Sequence, residues 1–169
     1  ATFSGTATPG VPIDIAYTTT NAQNDEMDVY RAVNDIHDFY LDVDPAYGYA
    51  NQRMTANVSR GSTCNAYWDG TINFYVEGGG CANTGELPGV SLHEYGHGLD
   101  SNDGNGSSPE NGTGETYGDF TAALATHASC VGNGFLGSSN CGGYGDACTA
   151  CSGVRDIDWA KGPQFNDWM

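Results

Sequence analysis

The chain has 169 residues, with 21 acidic against 5 basic side chains and a formal net charge of −16. That length suits one domain with a sizeable core, or most of a two-lobed one. So acidic a surface repels phosphate backbones and anionic membranes, which excludes nucleic acid as a partner and favours calcium or cationic partners; no run of about 18 apolar residues is present to span a bilayer.

Residues 1–23 are rich in Thr, Gly, Pro and Asn and read as a loop with one strand in the apolar run Val11–Tyr17. Asn24 is expected to cap a helix, with Asp25 and Glu26 in the first turn, where the helix dipole favours them. Met27, Tyr30, Val33, His37, Tyr40 and Leu41 follow at helical spacing to about Val43, and Pro45 ends the run. His37 on that stripe reads as a core histidine. From Gln52 to Glu77 the pattern is that of strands. Asn65-Ala66-Tyr67-Trp68 and Thr71–Val76 flank the turn pair Asp69-Gly70, a hairpin signal. Pro88 opens the next helix, since proline suits the first helical position. A loop over Asp100–Gly114 and a helix from Gly114 to about Ser129 follow, and glycine and cysteine dominate the remainder.

The six cysteines are Cys64, Cys81, Cys130, Cys141, Cys148 and Cys151. An even set in an acidic, glycine-rich chain predicts disulfides and a secreted protein. Locality pairs Cys64 with Cys81 and leaves the other four to bridge among themselves. Cys148-Thr-Ala-Cys151 is also open to reading as half a zinc knuckle or a redox pair. The Ala1 start reads as a mature or trimmed N-terminus.

His93-Glu94-Tyr95-Gly96-His97 fits H-E-x-x-H. Two histidines four apart share a helix face and can seat one zinc ion, with the glutamate beside them as general base. The third ligand has three candidates. Asp100 lies on the same helix, where three consecutive turns rarely converge on one tetrahedral ion. Asp103 has the metzincin spacing, but Asp100 stands where that motif wants glycine. Glu115, 18 positions after His97, opens the next helix and is favoured. Asp119, four residues further on, falls on the same face and can accept the far N–H of a ligating histidine. His127, twelve positions after Glu115, is too far along the axis to join the same ion and reads as structural or exposed.

With these residues the chain resembles the gluzincin zinc metallopeptidases of the thermolysin and fungalysin group. HEYGHGL followed by GTGETYGDF is similar to the family's zinc helix and glutamate helix, and CNAYWDGTINFY to its substrate-binding edge strand. The resemblance spans roughly residues 50–158. It implies an α+β, zincin-like fold: a β-rich lobe with one helix over 1–87, zinc-site helices over 88–129, and an irregular cysteine- and glycine-rich region over 130–169. The C-terminal helical lobe is short or missing. It further implies zinc held by His93, His97 and Glu115, Glu94 as general base, and Asp119 orienting a histidine. Asn65 and Ala66 would bind the substrate backbone, and Arg155 a substrate carbonyl, with an ion pair to Asp156, Asp158 or another carboxylate as the alternative use of that arginine. The expected activity is that of a secreted, monomeric endopeptidase, rather than an exopeptidase, acting on peptides or proteins.

Two family features have no counterpart. The loop between zinc ligands contains no tyrosine, and no histidine follows Arg155. These gaps keep a second reading in play, a catalytically impaired zincin-like domain serving as an extracellular binding or structural module. A calcium-stabilised domain is a third, prompted by Asp100–Asn105, although that loop lacks EF-hand spacing and calcium could equally accompany catalysis.

Overall fold

At the start of the first helix, α1 (Asn24–Val43), the Glu26 carboxylate reaches back to accept the Gln23 backbone N–H at 2.9 Å. Gln23, one residue before the expected Asn24, is therefore the cap. Asp25 does more than complement the dipole. Buried, it accepts the Ser59 hydroxyl at 2.6 Å and the Asn83 amide at 3.2 Å, tying the helix start to the segments that follow. The buried face of α1 is Val29, Ala32 and Ile36, backed by Val33 and Tyr40. It lies one step round from the predicted stripe. Tyr30 is 70% exposed, and His37 is only half-buried, bonded through Nδ1 to Asp38 at 2.7 Å, not a core residue.

The computed structural model describes residues 5–13, 15–108, 113–137 and 151–157. Cys141, Cys148, Asp158 and Trp159 lie outside these, as do 109–112 of the expected loop. After α1 come β1 (Ala56–Arg60), β2 (Ala66–Trp68), β3 (Ile72–Tyr75), a single 3-10 turn at Thr84–Glu86, α2 (Pro88–Ser101), α3 (Thr113–Thr126), β4 (Cys130–Val131) and β5 (Arg155–Asp156). The result is a small α+β arrangement. The strands of the first 87 residues are short, so that stretch is less β-rich than expected. No strand forms over the described part of Val11–Tyr17, where Val11, Ile13, Ile15 and Tyr17 are all exposed. Pro12 removes a ladder donor from that run, and a lone strand is not stable without a paired edge.

The expected hairpin is present. β2 pairs antiparallel with β3, Trp68 opposite Ile72, around a three-residue loop in which Gly70 takes φ 99°. β1 pairs parallel with β3 on its other side, giving the order β1-β3-β2 and leaving β2 at an edge. Buried Thr84 accepts the Tyr75 N–H at 2.9 Å and donates to the Asn65 carbonyl at 3.1 Å, which fixes where β2 begins.

α2 is the central element, buried almost all round between α1, α3 and the sheet. Such a helix cannot be amphipathic in the usual sense, and its apolar residues Val90, Leu92, Tyr95 and Leu99 face different neighbours. α3 ends at Thr126, earlier than expected, and exposed His127 follows it with φ 54°. Among the described residues there are two disulfides, Cys64–Cys81 and Cys130–Cys151. The first is the pairing that locality favours; the second uses Cys151 and so removes it from a metal knuckle or redox pair with Cys148. Among the described residues, no helix is long and apolar enough to cross a membrane.

α2 and α3 meet through glycines. A Cβ on Gly96 would lie 2.8 Å from Gly118 Cα and 2.9 Å from Thr121 Oγ1. Gly96→Ala therefore forces the helices apart and is expected to cost about 1–3 kcal/mol, the usual range for overpacking. Thermal denaturation of the variant checks this, and an unchanged midpoint would show that the crossing is looser than described.

Candidate metal centre

His93 and His97 lie one turn apart on α2, and Glu115 in the first turn of α3 faces them. The two Nε2 atoms are 3.1 Å apart. Glu115 Oε2 lies 3.3 Å from His93 Nε2, and its Oε1 lies 3.5 Å from His97 Nε2. One donor atom from each residue falls within 4.8 Å of the others, so His93, His97 and Glu115 form a group that can hold a metal ion.

Two of the three residues are held by a further contact. Asp119, one turn beyond Glu115, accepts the His93 Nδ1–H at 2.8 Å, leaving Nε2 to point at the centre. Gly118 makes this possible. A Cβ there would lie 2.7 Å from the His93 ring, so glycine is what lets the imidazole lie flat on α3. Arg155 completes the arrangement. Its Nε donates to Asp119 Oδ2 at 2.7 Å, and Nη2 donates to Asp119 Oδ1 at 2.8 Å and to Glu115 Oε2 at 3.0 Å.

Titration behaviour follows from this packing. Burial disfavours a charged His93, but its bonds to Asp119 and Glu115 outweigh that and push it up to about 10 from an ordinary 6.5. Contacts with His93 and His97 hold Glu115 far below the usual carboxylate range. Burial alone would raise Asp119, yet His93 and Arg155 bring it below its ordinary value.

Glu94 stands apart. It is buried, and burial pushes its carboxyl up. Its Oε2 has no hydrogen-bond partner among the described residues. An orphaned carboxylate oxygen beside a His/His/Glu donor set leaves a polar group free to face a ligand of the ion, and the donor set itself fits a metal ion.

Glu94, His97 and Glu115 open into a cleft of about 380 Å³. The β2 edge lines one side with Asn65, Ala66, Tyr67 and Trp68, and Asp100, Ser101, Ser107 and Ser108 line another. The sequence-predicted residues are thus brought together, with one difference of orientation. Arg155 turns toward Asp119 and Glu115 and is not among the residues lining the cleft, so nothing here places it on a substrate carbonyl. The other ligand candidates are placed elsewhere. Asp100 is buried but accepts the Ser108 N–H and hydroxyl at 2.7 and 2.6 Å, and Asp103 is exposed, accepting the Asn105 N–H.

Gly96 and Gly118 were not legible as site residues from the motif. The available signal was their position: glycine inside a helix costs about 1 kcal/mol relative to alanine, so interior glycines imply a packing reason. Comparison with protein families, with curated proteins and with solved structures finds no match to this chain.

If Asp119 orients His93, Asp119→Asn should weaken zinc binding by about 10- to 100-fold, the usual effect of losing such a partner. Competition with a chromophoric chelator measures this, and an unchanged affinity would mean that His93 needs no orienting group.

Proposed function

We propose that this chain is a secreted, zinc-dependent endopeptidase, an α+β zincin-like domain of the gluzincin type. The observation that carries the reading is the Glu94 carboxylate, buried, unpartnered at Oε2 among the described residues, and opening with His97 and Glu115 of the metal-binding group into a cleft flanked by a strand edge. A purely structural metal site has no use for such a group. The two disulfides suit an oxidising compartment and so support secretion.

His93, His97 and Glu115 would hold the ion, and the mixed nitrogen and oxygen donor set suits zinc. When bound, zinc supplies Lewis acidity, acidifying a water and polarising a carbonyl. The chain's own residues do the rest. An extended peptide adds to the β2 edge at Asn65 and Ala66, which sets its scissile carbonyl against the centre. Glu94 takes a proton from the attacking water, whose oxygen joins the carbonyl carbon. The carbon–nitrogen bond then breaks, and Glu94 returns the proton to the departing amine. Burial suits Glu94 to this, because a raised pKa makes it a better proton acceptor than an exposed carboxylate. Asp119 keeps the His93 ring in the ligating orientation throughout.

Glu94→Gln separates this reading from a binding module. The variant should retain about one zinc per chain and lose casein cleavage by about 10²- to 10⁴-fold, the span typical of a general base. A chelator should silence the native protein. Full turnover by the glutamine variant, or native turnover indifferent to chelator, would refute the assignment.

A further inference from the structure

We infer that Arg155 is a positioning residue of the metal centre, kept in place by the Cys130–Cys151 bridge, and that it does not touch substrate. The inference rests on the metal-centre reading above. Glu115 and Asp119 are like charges at i and i+4 on one helix face, an arrangement that repels. The guanidinium spans both, bonding Asp119 through two nitrogens and Glu115 through one of them. One side chain thereby fixes a metal ligand and the carboxylate that orients another ligand. Its planar fork suits this task, which a lysine ammonium cannot reproduce.

The backbone under Arg155 is slight. β4 and β5 have two residues each, Val131 opposite Arg155 and Cys130 opposite Asp156. A ladder that short has little stability alone. The bridge joins Cys130, beside Val131, to Cys151, four residues before Arg155. Around it the Val154 N–H donates to the Val131 carbonyl at 2.9 Å, and the Leu136 N–H to the Ser152 carbonyl at 3.0 Å. Because β4 follows directly on α3, the staple ties the arginine to the same helix that carries its two carboxylate partners. Gly153 is part of this docking, since a Cβ there would run into the Val131 carbonyl oxygen.

The test compares zinc dissociation constants, read by chelator competition, with kcat and KM for peptide hydrolysis. Arg155→Ala should weaken zinc binding about 10- to 100-fold, and Arg155→Lys should weaken it less. Cys130→Ala/Cys151→Ala should weaken it similarly, and adding Arg155→Ala to that background should cost little more, since both act through one contact. Gly153→Ala, with the bridge intact, should weaken zinc binding in the same direction and serves if the double alanine variant does not fold. Native zinc affinity with lowered kcat in Arg155→Ala and Arg155→Lys would overturn the inference and assign the arginine to substrate. Native affinity in the bridge and Gly153 variants would overturn the role of the staple. Normal zinc binding without any peptide cleavage by the unaltered protein would instead refute the peptidase reading alone.

Discussion

The site depends on how closely α2 and α3 approach. Gly96 lies against Gly118, and Gly118 lies against the His93 ring. A side chain at either glycine would force α3 or the His93 ring to shift, and with it the contacts of Glu115 and Asp119 to the histidines. The distances that define the centre, 2.8 Å from Asp119 to His93 and 3.3 Å from Glu115 to His93, follow from that contact. The two glycines lower the intrinsic stability of both helices, and tertiary packing of a fully surrounded α2 offsets this.

Charge sets the second constraint. In a chain of net charge −16, gathering Glu94, Glu115 and Asp119 around one point is unfavourable unless positive groups face them. His93 and Arg155 do so, and a bound cation would add to them. This is why Glu115 and Asp119 lie below the usual carboxylate range although burial opposes it, whereas at Glu94 burial outweighs the same neighbours and pushes the carboxyl up. The contrast separates the Glu115 carboxylate from that of Glu94 within one site.

Much of this was legible in the sequence because it is local. The H-E-x-x-H spacing places two imidazoles on one face wherever that stretch is helical, and Glu115 with Asp119 obeys the same periodicity. Pro88 and the Asp69-Gly70 pair mark boundaries through fixed backbone preferences. What escaped reading depends on partners distant in the chain. The buried face of α1 lies one step from the predicted stripe because Tyr30 and Val29 both fit an apolar helical spacing, and only the packed neighbours decide which is buried. Val11–Tyr17 alternates like a strand but has no ladder over its described residues. Arg155 could be seen as an arginine near the right place, yet its orientation toward Asp119 and Glu115 depends on a two-residue ladder and a disulfide that periodicity does not encode.

The central claim is that His93, His97 and Glu115 hold zinc with a position left open beside Glu94. X-ray absorption at the zinc edge of the zinc-loaded protein tests it most directly. The account predicts two imidazole nitrogens at about 2.0–2.1 Å and oxygen donors completing a shell of four or five. A shell containing sulfur at about 2.3 Å, or one made only of oxygens, would contradict it.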